Sequence, residues 1–335
     1  MPGVPDLTDP RWFAVDLHVP DRRFGVLRVD DDLVDRTTFL DTRMAVPFAE
    51  ALAVPVAAVP IAPPHARVAW LFHTSFCAST LLARALHVPP HTVCLKEPLV
   101  LRRLADARKS SWPLEGLIET TVHLLARPWH PGGAVVIKPT HVALNVAALL
   151  MTAAPHSRAV ILTSSLDDFM ISNLNKLPDT QAKIPELVKR ALDASGFSAR
   201  LSAEAMQPPD LICASGLQWA AQRELMWNIL DEVGPSRVRA LDATSLLADI
   251  GPTATACGEW LELPIPRATL AAHATAAATR NAKAITMPFS PSQRMREAEV
   301  VAGEHRAKLA GATAWLAAHV LPAMRSEARA DPPAW

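Results

Sequence analysis

The chain has 335 residues, half of them hydrophobic, which is enough to bury a sizeable core in one large or two ordinary domains. Its formal net charge is zero, which disfavours general attraction to nucleic acid or to an anionic membrane. No apolar run reaches membrane-spanning length, and the Pro- and Asp-rich start lacks a signal-peptide pattern. The four cysteines, at positions 77, 94, 213 and 257, lack metal-ligand spacing. We expect reduced thiols, no metal and a cytoplasmic protein.

The N-terminal part predicts a small α+β piece followed by a proline-rich connector. Residues 24–30 alternate between apolar and polar and predict an edge strand, and residues 32–40 predict a short helix. Residues 47–64 contain five prolines, which favour an extended chain because each removes a backbone donor. We therefore predict two units, an N-terminal piece at 1–64 and an α/β domain at 65–325.

The stretch after the connector predicts a strand, a tight turn and a helix. Residues 68–72 are mostly β-branched or aromatic, as in a buried strand, and residues 81–86 have helical spacing. Between them lies a turn of small residues that runs from Cys77 to Thr80. A strand that leads directly into a helix leaves the first helical N–H groups free to bind an anion, phosphate above all. The hydroxyls of Ser79 and Thr80 would add donors.

The same turn has a structural interpretation, in which a buried strand is followed by a helix with a serine N-cap.

The residues of the turn also help to decide which class of nucleotide-binding protein this could be. A nucleotide-triphosphatase loop needs Gly-Lys-Ser/Thr, whereas Ala78 precedes Ser79 here and the turn contains no lysine. Ordinary ATP or GTP hydrolysis is therefore disfavoured, and a P-loop kinase is the weakest alternative.

Strands and helices alternate through the rest of the chain. Further strands are predicted at residues 92–95, 134–137, 158–162 and 238–242. Helices are predicted at residues 99–127, with a break near 110–113, and from the end of the next strand segment at 141 through residue 150. Further helices are predicted at 167–174, 185–206, 215–233 and 296–320, and a turn plus a helix at 246–263. Residues 264–294 predict an irregular segment. This alternation predicts an α/β fold with a parallel central sheet and helices on both faces. With its strand–turn–helix, this arrangement resembles that of P-loop nucleotide-binding proteins.

Several polar residues follow the predicted strands where those strands end. Ligands of parallel sheets bind at the carboxyl ends of the strands. The polar residues found there are Ser79, Thr80, Lys96, Glu97, Lys138, Ser164 and Ser172. Their convergence favours an anion-binding crevice over a purely structural set.

Two motifs resemble the sulfotransferase superfamily, and bacterial sulfotransferase-family proteins in particular. The turn reads Ser-Thr-Leu-Leu at 79–82, and Glu-Pro-Leu follows at 97–99. The family's second signature, Arg-x-Pro-x-Asp-x-x-x-Ser after a strand, holds a 3′-phosphate. Asp168 and Ser172 match it, whereas Ser164 stands at the arginine position.

The resemblance covers about residues 67–300. It implies transfer of a sulfuryl group from 3′-phosphoadenosine 5′-phosphosulfate (PAPS) to a hydroxyl or amine of a small acceptor, whose identity the sequence does not show. Because an arginine is missing, Arg280 and Lys283 are expected to supply charge to the 3′-phosphate. The residues expected to bind the cofactor are Cys77, Ala78, Ser79, Thr80, Leu81, Ser164, Ser172, Arg280 and Lys283.

The loop departs from the family pattern at two positions. Phe76 stands where the family usually carries Lys or Arg, and Ala78 stands at the glycine. Loss of a cation aimed at developing charge costs about 100- to 1,000-fold in rate. Lys96, Lys138 and Arg84 are candidate substitutes. The alternative is a non-catalytic nucleotide- or phosphate-binding module on the same fold.

Glu97 is the predicted catalytic base. It follows a strand end, and a partly dry crevice suits a carboxyl group for this task. The alternative is a structural ion pair with Lys96 or Arg102. Lys138, at the end of a buried strand, is the predicted catalytic cation because an unpaired buried ammonium would be costly.

The sequence supports a catalytic or binding role less strongly for several other side chains. His73 and His141 are rival bases. The simpler interpretation of His73 is a buried structural histidine, and that of His141 is an exposed loop histidine. Cys77 is interpreted as a small loop filler, because no nearby histidine or acid supports a nucleophile. Arg294 and Arg296 are interpreted as a solvated helix start.

Overall fold

The computed structural model describes residues 5–60, 67–282, 287–288 and 290–332. Within them, the strands are β1 (Trp12–His18), β2 (Arg23–Arg28), β3 (Leu52–Pro55), β4 (Arg67–His73), β5 (Thr92–Lys96), β6 (Ala134–Lys138), β7 (Arg158–Thr163) and β8 (Val238–Asp242).

The α-helices of the described residues lie between and after these strands. They are α1 (Asp31–Arg36), α2 (Ser79–Ala85), α3 (Leu99–Lys109), α4 (Leu117–Leu125), α5 (Ala147–Ala153), α6 (Leu166–Leu174), α7 (Pro178–Gln181), α8 (Ile184–Ser195), α9 (Leu211–Val233), α10 (Ala243–Ala248), α11 (Ile250–Trp260), α12 (Arg267–Ala277), α13 (Pro291–Glu304), α14 (Arg306–His319) and α15 (Ser326–Arg329). Short 3₁₀ helices occur at Phe48–Glu50, Val56–Ala58, His141–Val146, Phe197–Arg200 and Leu321–Ala323.

A parallel sheet in the order β5-β6-β4-β7-β8 forms the centre of the α/β part. Its strands are apolar nearly throughout because helices cover both faces. In β4, Trp70 and Phe72 face one hydrophobic cluster with α3, α4, α5 and α9, whereas Ala69 and Leu71 face another with α2, α11 and α12. The predicted α/β class, with a parallel central sheet and helices on both faces, is confirmed.

The strand order places a topological switch at β4. From β4 the chain runs to the edge strand β5, returns to β6 beside β4, and then continues on the other side to β7 and β8. Loops leaving neighbouring strands in opposite directions open a crevice at the carboxyl ends. The turn after β4 lies at this crevice.

The N-terminal strands form a separate antiparallel sheet in the order β1-β2-β3. The edge-strand prediction for residues 24–30 is therefore wrong, because β2 is paired on both sides. One partner is β1, which the sequence pattern did not predict. The other is β3, which lies inside the predicted connector and ends at Pro55, a residue compatible with an edge strand.

Three helix predictions need correction in the C-terminal half. Helix α8 ends at Ser195, before residue 206, because Gly196 adopts a left-handed φ of 68° that closes the helix. The segment 264–294, predicted irregular, contains α12, whose Leu270 and Ala274 are buried. The single helix predicted at 296–320 is two helices, α13 and α14, which meet at His305. Among the described residues, no helix is long and apolar enough to cross a membrane.

Candidate active site

The turn between β4 and α2 has an unusual backbone. Phe76 and Ala78 both adopt left-handed conformations, with φ angles of 61° and 60°. This conformation costs a non-glycine residue about 1–2 kcal/mol, so surrounding contacts must hold the turn in place. Ala78 therefore keeps the backbone shape for which glycine is the usual residue.

Two neighbouring elements anchor the turn. The Thr74 N–H donates to the carbonyl of Leu162 in β7 at 2.9 Å. The Ser75 N–H donates to Oε1 of Gln222 in α9 at 3.1 Å, and Gln222 Nε2 donates to Ser75 Oγ at 3.3 Å. The start of the turn is thus fixed to the sheet and to the longest helix of the described residues, which stabilises its left-handed positions.

The predicted cofactor-binding residues of the turn differ in what their side chains can offer. Cys77 is buried and its thiol donates to the carbonyl of Thr74 at 3.1 Å. Burial raises the pKa of this thiol to about 11, which agrees with the interpretation as a loop filler. Ser79 and Thr80 open α2, and Leu81 is buried. The N-cap is Ala78, so the serine N-cap interpretation is wrong.

Glu97 and Lys138 form an ion pair across the ends of β5 and β6. The strands place Lys96 opposite Lys138, and the Glu97 N–H donates to the Lys138 carbonyl at 2.6 Å. Lys138 Nζ donates to Glu97 Oε1 at 2.6 Å. The Lys138 side chain is fully buried, whereas that of Glu97 is 14% exposed. Glu97 also has a left-handed φ of 57°, which turns its chain toward β6.

Other basic groups flank the same carboxylate. Nη2 of Arg43 lies 3.6 Å from Glu97 Oε2, and Nε2 of His73 lies 3.9 Å from Oε1. Arg43 stacks on the Phe39 ring at 3.7 Å and also pairs with Asp41. The carboxylate therefore compensates the buried ammonium of Lys138 and has basic neighbours on both oxygens.

The alternative ion pairs predicted for Glu97 are wrong. Lys96 Nζ donates instead to the carbonyls of Val34 and Asp35, at 2.9 and 3.2 Å. Arg102 pairs with Asp106 on its own helix. Arg84 also has other partners, because it donates to the Ala282 carbonyl and to Thr38 Oγ1. Of the three candidate cations from the sequence, Lys138 alone contacts Glu97 within the described residues.

The two histidines lie beside the ion pair, with ring centroids 6.2 Å apart. Burial lowers the pKa of His141 to about 4 and that of His73 well below its usual range, so both rings are neutral at neutral pH. His73 Nδ1 contacts the Thr74 carbonyl at 2.7 Å. The Nε2 atoms of both rings are buried without a hydrogen-bond partner among the described residues. The expected exposed loop position for His141 is wrong.

The second signature region lies where β7 meets α6. Ser165 caps α6, accepting from the Asp168 N–H at 3.2 Å and donating to its Oδ2 at 3.0 Å. Ser164 is buried, and its Oγ lacks a hydrogen-bond partner among the described residues. Ser172 lies half-buried on α6. Asp168 thus has a capping role here, and Ser164 Oγ can still donate to a ligand.

The cations expected to complete this region do not do so in the described structure. Arg280 is exposed, and its backbone forms an isolated bridge with Pro288. No contact of the described residues joins Arg280 to Ser164 or Ser172. Lys283 lies outside the described residues.

Two other cations approach the turn, and the sequence analysis missed both roles. Lys176 Nζ lies 5.3 Å from the centroid of the Phe76 ring. Arg294 Nη2 lies 3.4 Å from the Phe76 carbonyl, so Arg294 is not part of a merely solvated helix start. No local signal could have linked Arg294 to a residue more than two hundred positions earlier.

The fold and site define a class: an α/β protein whose parallel sheet carries a strand–turn–helix and a charged crevice at its carboxyl edge. Neither a protein-family model nor a curated protein matches the chain.

Similar solved structures include two sulfotransferases. A sulfotransferase from Alicyclobacillus acidocaldarius is 14% identical, with 77% of this chain and 96% of that chain covered and a TM-score of 0.38. A sulfotransferase domain from the curacin biosynthetic pathway is 12% identical, with 71% and 96% covered and a TM-score of 0.39.

Proposed function

We propose that this protein is a sulfotransferase that moves a sulfuryl group from PAPS to a hydroxyl or amine of a small acceptor. The observation that supports it is a convergence at one edge of the sheet. The left-handed turn at Phe76 and Ala78 and the Glu97–Lys138 pair both follow parallel strands that end there. The turn suits an anionic donor, and the pair suits proton removal from an acceptor.

The turn and the start of α6 provide the donor-binding groups. The first N–H groups of α2 have no acceptor inside the helix, and the Ser79 and Thr80 hydroxyls lie at the same end. These groups would hold the 5′-phosphosulfate. The buried Ser164 Oγ, which lacks a partner among the described residues, would gain an acceptor from the 3′-phosphate, and Ser172 on α6 would be a second donor.

Sulfuryl transfer needs alignment of donor and acceptor, stabilisation of negative charge and removal of one proton. The acceptor oxygen or nitrogen forms a bond to sulfur while the bond from sulfur to the 5′-phosphate oxygen breaks. Adenosine 3′,5′-bisphosphate leaves with the electron pair of that bond. The acceptor proton passes to Glu97, which is the proposed base.

Lys138 orients this base. Its short contact holds Glu97 Oε1, whereas the neighbour of Oε2 is Arg43, whose exposed side chain lies 3.6 Å away. Oε2 is therefore the oxygen that would accept the proton. Lys138 would also stabilise charge as the bond to sulfur breaks, an interaction that strengthens in the transition state. His141 and His73, with buried neutral rings, are the rival acceptors.

The test compares ligands and then measures transfer. We expect adenosine 3′,5′-bisphosphate to raise the melting temperature more than ATP with magnesium does, because the turn lacks the lysine of a triphosphatase loop. Radiolabelled PAPS and a panel of small alcohols, phenols and amines then give turnover. A larger shift with ATP and magnesium would overturn the proposal.

A second candidate function is supported by Phe76, the residue at the usual cation position. Its ring packs edge-on against Phe169 at 5.2 Å and offers no positive charge to the group that is transferred. A non-catalytic nucleotide- or phosphate-binding module predicts tight bisphosphate binding without sulfuryl transfer to any acceptor in the panel.

The proposal extends to the compartment. The four cysteines are free thiols and all are buried, which agrees with a reducing environment. We propose that the protein acts in the cytoplasm, on a small-molecule acceptor.

A further inference from the structure

Lys176 and Arg294 approach the same turn from two separate elements, the segment just after α6 and helix α13. Lys176 follows the last residue of α6 by two positions, and Arg294 lies in the first turns of α13. One cation faces the ring of Phe76 and the other its carbonyl. Both side chains belong to half-buried residues.

These two charges differ from Lys138 and Arg43, because among the described residues no carboxylate compensates them. On the Glu97 side, Lys138 and Arg43 each lie close to a carboxylate. In the part of the chain that the structure describes, neither Lys176 nor Arg294 forms an ion pair with a carboxylate. Burial and the nearby charge of Arg294 both lower the pKa of Lys176, as expected for two like charges in one partly dry place. An anion placed between them would relieve this repulsion.

Phe76 sets where that anion would lie. Its φ of 61° and its edge-on contact with Phe169 at 5.2 Å fix both its carbonyl and its ring. The cations therefore flank the turn itself, beside the start of α2. Ser172 lies in the last turn of α6, and Lys176 follows the end of that helix by two positions.

We propose that Lys176 and Arg294 form a two-sided clamp for the phosphosulfate group of the donor and supply the positive charge that position 76 lacks. This inference rests on the proposed function for the identity of the donor. The clamp itself requires only an anion with phosphate or sulfate oxygens, because those oxygens accept from an ammonium and a guanidinium together.

Helix α13 carries Arg294 on an element that packs only at the surface of the molecule. Although it has 14 residues, none of them is buried, so α13 is held by surface contacts that include those of Arg294. An open groove of about 570 Å³ separates it from the end of α6, lined by Asn175, Gln293, Arg296, Glu297, Val300 and Val301. A bound anion would tie α13 to the turn through Arg294, and hydrogen exchange in α13 should then slow.

The experiment uses the full chain and the variants Lys176→Met and Arg294→Gln. Lys308→Met and Arg306→Gln, at exposed positions on α14, are the matched controls. Calorimetry gives affinities for adenosine 3′,5′-bisphosphate and for inorganic pyrophosphate, and labelled PAPS gives turnover. Each clamp variant should lose about tenfold to hundredfold in affinity for pyrophosphate. The controls should stay within about twofold.

Hydrogen exchange supplies a second readout that a merely structural role would not move. In the unmutated protein, pyrophosphate should slow exchange across α13. In the Arg294→Gln variant it should not, although the melting temperature without ligand should be nearly unchanged.

The outcomes separate the clamp from the proposed function. Variants that bind pyrophosphate as tightly as the unmutated protein overturn the clamp, even if PAPS is turned over. Binding that depends on both cations, without any transfer from PAPS, keeps the clamp and overturns the sulfotransferase. If the unmutated protein binds neither pyrophosphate nor the bisphosphate, both proposals fall.

Discussion

The two sides of the crevice are built on different principles. On the side of β5 and β6, Lys138 and Glu97 emerge from fully buried strands, and their charges cancel at 2.6 Å. On the side of α6 and α13, Lys176 and Arg294 emerge from a helix end and from a helix without buried residues, and their charges do not cancel.

The charges on the first side are compensated within the protein, whereas those on the second side lack a compensating charge among the described residues. Removing one partner of a buried ion pair strongly destabilises a protein, because the other charge stays buried without compensation. Such a pair therefore keeps one geometry before any ligand binds. Two like charges placed close together gain stability when an anion joins them. We therefore assign proton handling to the compensated side and donor binding to the uncompensated side.

The largest expected effect comes from breaking the compensated side with Glu97→Gln. Removal of the proposed base should lower turnover by about 10²–10⁴-fold while bisphosphate binding is kept. The same change leaves the fully buried Lys138 without its carboxylate, and should lower the free energy of unfolding by about 3–5 kcal/mol. Turnover with PAPS and chemical denaturation measure the two effects.

The double variant Glu97→Gln/Lys138→Met sharpens this test, because it removes both charges together. It should recover most of the lost stability but none of the turnover. The control is Glu259→Gln, which breaks the exposed pair of Glu259 with Arg267 and should cost less than about 1 kcal/mol. Full activity of Glu97→Gln at neutral pH would transfer the role of base to a histidine.

A smaller effect is expected from Ser79→Ala at the start of α2, between the two sides. Loss of a hydroxyl donor to an ionised oxygen costs about 1.5–3 kcal/mol, so bisphosphate affinity should fall about tenfold or more. The melting temperature without ligand should change little because Ala78, not Ser79, is the N-cap. Unchanged affinity together with a lower melting temperature would make Ser79 structural.

The next effect concerns His141 on the compensated side. Its pKa is about 4 in the folded protein, below the usual value near 6.5, because burial disfavours the charged ring. A lowered folded-state pKa contributes stability that is present above about pH 6.5 and is lost as the pH falls toward 4. Between pH 7 and pH 5, the free energy of unfolding should therefore fall by about 1–2 kcal/mol less in His141→Gln than in the unmutated protein. Parallel pH profiles for the two proteins would refute this prediction.

The smallest effect is expected from Ala78→Gly in the turn. Glycine adopts the φ of 60° without the penalty of a side chain, so the free energy of unfolding should rise by about 0.5–1 kcal/mol. Ala83→Gly, in the middle of α2, is the matched control and should destabilise the protein by about 1 kcal/mol or more. A loss of stability in Ala78→Gly would show that the turn relaxes in solution.

Local pattern was sufficient for the elements around the turn. Residues 68–72 and 134–137 are continuous apolar runs, and both became central parallel strands. Where the pattern was weaker, the predictions failed. The residues of β1 gave no clear signal by themselves, and α12 follows Pro264 and Pro266 in a segment interpreted as irregular. Both elements are stabilised by partners far away in the chain.

The sequence by itself determined the α/β class, the strand–turn–helix and the presence of Glu97 and Lys138 at strand ends, because buried strands and helices leave a local pattern of apolar residues. Only the tertiary structure decided which charges meet. It joined Lys138 to Glu97, used Lys96 and Arg84 to satisfy backbone carbonyls, and brought Lys176 and Arg294 to Phe76. A side chain's partner depends on distances across the fold, which local pattern does not encode.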